Sequence, residues 1–230
     1  MRSGRHEFDN VFQPRAQRPA LSTARLGDMR FRALLGAKAW AELPEAVQAR
    51  FSKRLGGTSS VVYTGEVVEC SMSNAGWWLA QILRIIGAPL PLCCDTFVPA
   101  IVTVTEDEAG GGQFWLRQYG RHTGFPQVIH SSKRFAGTTG LEEYIGGGVG
   151  VALNIAVKDG ALMFVSDHYF IALDRWRLKL PRWMTPGRLT VGHVDCGDGW
   201  FAFTLRLEHD WLGTLVNQTA LFCDSAPTKA

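Results

Sequence analysis

The dipeptide Asp159-Gly160, which lies between two runs of alternating apolar residues, is the feature that most constrains this chain. The two runs cover residues 149–173, and an Asp-Gly between such runs indicates a β-hairpin. Because an isolated hairpin is marginally stable in water, both arms must belong to a larger antiparallel sheet. A period of two predicts that the second arm places these side chains on one face: Leu162, Phe164, His168 and Phe170.

The same alternation predicts seven more strands, so the count is about nine. The glycine-rich segment 137–148 is predicted to be a loop, and the proline-broken segment 174–187 a connection. The predicted fold class is α+β: a strongly curved antiparallel sheet, half-barrel or barrel, with N-terminal helices packed against it. The further strands are expected over residues 60–72, 97–105, 113–119, 127–135, 189–194, 200–207 and 211–223.

Apolar residues at helical spacing predict helices over residues 29–36, 44–53 and 76–87. The third helix has apolar residues around most of its circumference. We expect it to plug one mouth of the sheet. The alternative is a helix lying on a membrane surface, which would call for more Lys and Arg on its polar face.

The chain divides into three parts. Residues 1–25 mix Pro, Gln, Arg and Ser without periodicity and are predicted to form a flexible arm. Residues 26–224 are predicted to form a single β-rich domain, and 225–230 a flexible tail. No secretory signal is expected, because residues 1–28 lack the apolar core of one, and no run of apolar residues reaches the roughly 20 needed to cross a bilayer.

Charge and cysteine content exclude several classes of function. The formal net charge is only +3, with Lys and Arg dispersed, so nucleic acid is not expected as a partner. The 5 cysteines have no C-x-x-C spacing, which argues against a disulfide scaffold or a metal site. The adjacent Cys93 and Cys94 are expected to be two small turn residues, although a redox couple is an alternative. With no disulfide pattern, reduced thiols and a cytoplasmic location are expected, and the spacing predicts no metal site.

One predicted strand combines aromatic residues with a buried cation. In residues 113–119, alternation places Trp115, Arg117 and Tyr119 on one face. A guanidinium offers paired donors to a carboxylate or phosphate, so this face could line a cavity for an anionic head group. The alternative is that Arg117 pairs with a buried acid such as Glu142 or Glu143 and holds the sheet together.

A cavity in the curved sheet is the predicted ligand site. We expect Arg117 to be its polar anchor, among the aromatic residues Trp115, Phe164, Phe170, Phe201 and Phe203. Lys133 and Arg134 belong to a polar group with Ser131 and Ser132, which could stand at the mouth of a barrel and bind an anion. The alternative is a solvated sheet edge that guards against strand pairing.

Acid–base candidates are few. His193 and Asp195 share a face before a predicted hairpin, where the carboxylate could orient the imidazole as a general base, although exposed rim residues are the simpler interpretation. Glu143 is the other weak catalytic candidate. His168 follows Asp167, but neighbours in a strand point to opposite faces, so these two are not expected to pair.

Several segments resemble a bacterial family catalogued as domain of unknown function 4166. They are FRALLGAKAWAELPEAVQARF, the strand carrying Trp115 and Arg117, IHSSKRFAGTTGLEEYIG, RLKLPRWMTPG and HDWLGTLVNQTALF. The resemblance implies no activity. Members also occur fused to a saccharopine-dehydrogenase-like nucleotide-binding domain. These 230 residues contain no such domain, so no redox cofactor, nor any other cofactor, is expected.

Three functions follow as hypotheses. The first is binding of an apolar or amphipathic small molecule, such as a lipid, polyketide or isoprenoid, in the cavity. The second is a cofactor-independent isomerase- or cyclase-like enzyme that uses the same cavity, with His193 or Glu143 in acid–base roles. The third is an interaction domain for a partner oxidoreductase, suggested by the fused members.

Overall fold

The structure is a computed structural model that describes residues 27–53, 55, 60–173 and 176–224. The predicted arm over residues 1–25 and the predicted tail over 225–230 lie outside the described residues. Among the helices of the described ranges, none has both the length and the hydropathy that a membrane span requires.

Ten antiparallel strands close into a barrel, and an eleventh pairs with its outside. The hydrogen-bonded order is β6-β5-β4-β3-β2-β1-β11-β10-β9-β7, and pairing between β6 and β7 closes the ring, while β8 pairs only with β7. The strands are β1 Ser60–Met72, β2 Val98–Asp107, β3 Gly112–Tyr119, β4 Gln127–Arg134, β5 Glu142–Gly146, β6 Val149–Lys158, β7 Ala161–Leu173, β8 Trp176–Lys179, β9 Arg188–Gly197, β10 Trp200–His209 and β11 Gly213–Asp224.

The α+β fold with a strongly curved antiparallel sheet is thus confirmed, and the sheet is a closed barrel. Two strands were missed. β5 lies in the segment 137–148 predicted as a loop, and β8 lies in the predicted connection 174–187. Both are short, at 5 and 4 residues. β5 is flanked by glycines and β8 is exposed along its length, so neither has the apolar alternation that marks a longer strand.

The predicted Asp-Gly turn is present. Asp159 and Gly160 both have positive φ, at 52° and 76°, as a two-residue turn of this type requires. Asp198 and Gly199 repeat the arrangement between β9 and β10, with φ of 51° and 80°. These turns favour Gly because only Gly adopts positive φ without a steric penalty.

A bulge in β7 overturns one face assignment. Ala152 pairs with His168 and Leu153 with Ser166, so Asp167 is the extra residue. Beyond the bulge the alternation is inverted, because one added residue moves every later side chain to the opposite face. Tyr169 therefore packs in the barrel core with Phe164. Phe170 faces outwards, where its ring lies 5.6 Å from that of Tyr144.

The bulge also corrects the expectation for His168 and Asp167. Their side chains lie on the same side after all, with Nδ1 of His168 2.6 Å from Oδ2 of Asp167. The hydrogen bond from His168 lowers the pKa of Asp167. It lies on the outside of the barrel, away from the charged side chains of the interior.

Helices occupy the two ends of the barrel. At one end, which we call the helical end, α1 Arg30–Leu35, α2 Ala37–Ala41 and α3 Glu45–Phe51 cover the barrel and bury Phe31, Trp40, Val47 and Phe51 in its core. At the opposite end lie α4 Asn74–Ile82 and a 3₁₀ turn, Leu83–Ile86. One face of α4 buries Gly76 and Ala80, and the side chains of Trp77, Trp78 and Ile82 stay exposed.

Candidate functional site

Three neighbouring strands direct charged side chains into the barrel. The register places Trp115 of β3 opposite Ser131 of β4, and Lys133 of β4 opposite Glu143 of β5. Because alternate residues of a strand face the same side, Arg117 joins Trp115 on the inner face. The interior polar cluster formed by Arg117, Ser131, Lys133 and Glu143 is therefore a consequence of strand pairing.

The cluster converges on one carboxylate oxygen, Oε1 of Glu143. It accepts a hydrogen bond of 2.6 Å from the hydroxyl of Ser131 and one of 3.3 Å from Nη2 of Arg117. Nζ of Lys133 lies 2.9 Å from the same oxygen. Ser131 in turn accepts a hydrogen bond of 2.6 Å from Arg117. The four side chains thus form one connected network.

Two cations share this one carboxylate. Burial alone would raise the pKa of Glu143, but the charges of Lys133 and Arg117 outweigh it and hold that pKa at about 2. Burial lowers the pKa of Lys133, and the neighbouring Arg117 lowers it further. The ammonium also lies 4.7 Å from the centre of the Trp115 ring. In addition, Nε of Arg117 is buried without a hydrogen-bond partner. The cluster therefore places two basic side chains beside one carboxylate and leaves one buried donor, Nε of Arg117, without a partner.

A narrow space borders this cluster in the middle of the barrel. Its walls include Trp115, Arg117, Tyr119, Lys133 and Phe164. A second space shares Arg117 with the first and continues between Leu83 and Pro186, at the end opposite α1–α3. In the described conformation each space has room for only a few water molecules. A larger ligand must displace side chains, and several that line these spaces, such as Leu83 and Leu205, are only partly buried.

The structure brings together five of the seven predicted ligand-binding residues: Arg117, Trp115, Tyr119, Lys133 and Phe164. The remaining two lie elsewhere. Arg134 is on the outer face, where its Nε lies 3.2 Å from Oδ2 of Asp107, and Phe170 is on the outer face beyond the bulge of β7. Arg117 pairs with Glu143, as the structural alternative expected, and it also borders the interior space.

The sheet-edge interpretation of residues 131–134 is wrong. Residues Ser132, Lys133 and Arg134 of β4 pair with both β3 and β5, so they do not form a free edge. Ser131 and Lys133 point inwards, and Ser132 and Arg134 bond to Asp107 on the outside. The sequence placed Ser131 in the same polar group as Lys133, and strand alternation puts both on one face, but it did not indicate the hydrogen bond from Ser131 to Glu143.

The expectation that His193 is an exposed rim residue is also wrong. Its side chain is buried against Phe51, Phe201 and Phe203. Burial, assisted by the charge of Arg50, lowers the pKa of His193 to about 3. Asp195 does not orient it, because Oδ1 of Asp195 lies 2.9 Å from Nη1 of Arg50. A neutral imidazole with so low a pKa is a weak base at neutral pH.

The cysteines make a contact that the sequence did not indicate. Sγ of Cys70 lies 2.9 Å from Sγ of Cys94. The thiol of Cys93 instead donates a hydrogen bond of 3.4 Å to Oδ2 of Asp95. Burial raises the pKa of Cys70 above its usual range. Over the described ranges, no group of three or more His, Cys, Asp or Glu residues could hold a metal ion.

Comparison with known proteins gives one match. The model of a family described as "Domain of unknown function (DUF4166)" matches residues 43–222. This range includes all eleven strands except the last residues of β11. No curated protein and no solved structure matches the chain.

Proposed function

Since the chain belongs to the family described as a domain of unknown function (DUF4166), whose description states no activity, we propose a function from the barrel interior. The barrel binds a small amphipathic molecule with a carboxylate head group. The head group pairs with Arg117 and Lys133, and the apolar part lies against Trp115, Phe164 and the leucines that continue towards Leu83.

One observation carries this proposal: the interior has two cations for a single carboxylate. Uncompensated charge in a protein interior is unfavourable, and a ligand anion would remove the imbalance. The unpartnered Nε of Arg117 supplies a directed donor for that anion. A phosphate could use the same donors, but the narrow space favours the smaller, planar carboxylate.

Decanoate is a suitable probe, with decanol as the neutral control of equal chain length. We expect decanoate to raise the melting temperature, because a ligand at 100 times its Kd stabilises the fold by about 2.7 kcal/mol, or roughly 5–10 °C for a chain of this size. Decanol should bind at least about tenfold more weakly, since it lacks the charge that the cations recognise.

The variants Arg117→Met and Arg134→Met form a matched pair for titration calorimetry. Each removes one guanidinium from neighbouring strands, but only Arg117 faces the interior. Arg117→Met should abolish the preference for decanoate over decanol, and Arg134→Met should leave it unchanged. Equal binding of the two probes to the wild-type protein, or no binding of either, would refute the proposal.

The enzyme hypothesis receives less support from the same residues. Glu143, with a pKa of about 2, and His193, with a pKa of about 3, are both poor bases near neutral pH.

The partner oxidoreductase and the cytoplasmic location stay predictions. A reducing compartment would keep the neighbouring thiols of Cys70 and Cys94 in the reduced state, without a disulfide bond.

A further inference from the structure

Large apolar side chains are exposed at the end of the barrel opposite α1–α3. The exposed fraction is 86% for Ile85, 85% for Trp211, 75% for Trp183 and 63% for Trp78. Leu212 and Ile82 are exposed beside them. Exposed apolar groups of this size on adjacent segments mark an interaction surface rather than ordinary scatter. We call these six residues the aromatic end.

Three segments that carry these residues are adjacent. The amide of Ser73, at the start of α4, donates a 3.0 Å hydrogen bond to the carbonyl of Leu215, just after the turn that holds Trp211. Arg188 pairs with Glu208, which brings the connection containing Trp183 next to the same turn. Leu83 and Pro186 line one space. The segments therefore surround the mouth of the apolar part of the barrel interior.

These segments carry an excess of positive charge. They carry Arg84, Arg182 and Arg188, all exposed, against Asp210, while Glu208 is paired with Arg206 at 2.7 Å. Trp at the boundary of a bilayer and Arg near phosphate head groups are the residue types that bind an anionic lipid surface. Among the described residues, the helical end differs because it exposes fewer large apolar side chains, among them Met29 and Trp200. The charges exposed there are of both signs: Arg32, Lys38, Lys53 and Lys158 with Glu42, Glu45, Asp159 and Asp198.

We propose that the aromatic end docks onto a membrane surface that contains anionic phospholipid. Trp78, Trp183 and Trp211 insert at the head-group level, Ile82, Ile85 and Leu212 reach the acyl boundary, and the three arginines contact phosphates. The protein binds peripherally, with the mouth of its interior on the lipid side. This inference does not rest on a carboxylate ligand, because it uses none of the interior polar cluster.

Vesicle flotation tests the proposal, with phosphatidylcholine vesicles prepared with and without phosphatidylglycerol. We expect the wild-type protein to bind the vesicles that contain phosphatidylglycerol and to release them at high salt. A double variant, Trp183→Ala with Trp211→Ala, should bind about tenfold more weakly or worse, because it lacks two inserted rings. Trp200→Ala, a matched change at the helical end, should bind as the wild type does.

Both tryptophans are exposed, so the double variant should keep its melting temperature, and a circular dichroism spectrum checks its fold. A second double variant, Arg84→Gln with Arg182→Gln, should lose the preference for phosphatidylglycerol. Failure of the wild-type protein to float, or equal flotation of the tryptophan double variant and Trp200→Ala, overturns the proposal. So does a dimer that forms without lipid and is lost in the double variant, since a second copy would then cover this end. The decanoate titration is read without vesicles, so either proposal can fail alone.

Discussion

Two buried charge clusters of this barrel have opposite imbalances. At the helical end, Arg50 of α3 lies 2.9 Å from Asp195 of β9 and 2.8 Å from Asp224 of β11, so one cation meets two carboxylates. In the interior, Arg117 and Lys133 meet the single carboxylate of Glu143. The first cluster joins a helix to two strands, whereas the second joins strands that already pair with one another.

The surplus charge of each cluster has a different environment. At the helical end the surplus is a carboxylate near the rim, where the side chains of Asp195 and Asp224 are 18% and 33% exposed, although Oδ1 of Asp224 is buried without a hydrogen-bond partner. In the interior the surplus is a cation that borders the narrow space inside the barrel. The rim cluster joins α3 to β9 and β11, which is sufficient for a structural role. The interior cluster borders a space that an anion could enter to meet Arg117 and Lys133, which is why we assign the ligand to this cluster.

The largest expected effect comes from removing the shared carboxylate. Glu143→Gln leaves Arg117 and Lys133 together in the interior without an anion. Breaking a buried ion pair on one side costs roughly 3–5 kcal/mol of unfolding free energy, and repulsion between two cations adds to it. Urea denaturation at neutral pH measures this loss.

Glu142→Gln is the control for that change, because Glu142 is the neighbouring residue but points outwards to Arg177, whose side chain is 41% exposed. We expect the loss in Glu142→Gln to be clearly smaller. A loss in Glu143→Gln of less than about 1 kcal/mol would show that the interior cations are compensated in another way.

Arg50→Met tests the structural cluster and should have the second largest effect. The change removes both ion pairs and the contact with the Phe201 ring, whose centre lies 4.3 Å from the guanidinium carbon. We expect a loss of roughly 2 kcal/mol, which is smaller than for Glu143→Gln because both stranded carboxylates can be hydrated at the rim. Hydrogen exchange should also show earlier opening of α3, and binding of decanoate should persist. Loss of decanoate binding at unchanged folding would contradict the division between the two clusters.

His193, next to Arg50, makes the helical end sensitive to acid. Its pKa is about 3 in the folded state and near 6.5 when unfolded, so the unfolded chain takes up the proton first as the pH falls. The histidine's contribution to stability is therefore nearly complete at pH 7 and declines as the pH falls, by about 2 kcal/mol between pH 7 and pH 5. Few carboxylates titrate in this window, which makes the contribution of the histidine visible.

The variant His193→Leu should remove this decline while keeping the apolar contacts with Phe51 and Phe201. Urea denaturation of both proteins at pH 7 and pH 5 gives the difference. If the two proteins lost the same free energy over this range, the buried, neutral histidine would not be the cause.

Sequence periodicity predicted the interior face of β3 but failed in β7, for a physical reason. Nothing interrupts β3, so the period of two placed Trp115, Arg117 and Tyr119 together, as the structure does. In β7 the bulge at Asp167 shifts the alternation, and Phe170 moves to the outside. A bulge depends on how two strands pair, and a single strand's pattern does not contain that information.

The role of His193 was missed for a related reason. Its position near a hairpin indicated a rim, but Phe51 of α3 packs over it with ring centres 5.1 Å apart. That contact joins residues far apart in the chain, since α3 covers residues 45–51 and β9 covers residues 188–197. Burial of His193 is therefore a property of tertiary packing, which local sequence patterns do not predict.

The smallest expected effect, in Arg117→Met, is the sharpest test of the interior cluster. After this change one basic side chain, Lys133, still pairs with one carboxylate, Glu143. Ser131 still donates its hydrogen bond to that carboxylate. We expect a stability change of less than about 1 kcal/mol, because the surplus charge has been removed rather than created. In the Glu143→Gln background the same change should restore part of the lost stability. A double-mutant cycle that gives a coupling of at least about 1 kcal/mol would support the surplus, since removing Arg117 helps only where a cation is in excess. If Arg117→Met instead cost as much as Glu143→Gln, Arg117 would be a structural partner of Glu143, and the interior would have no charge left for a ligand.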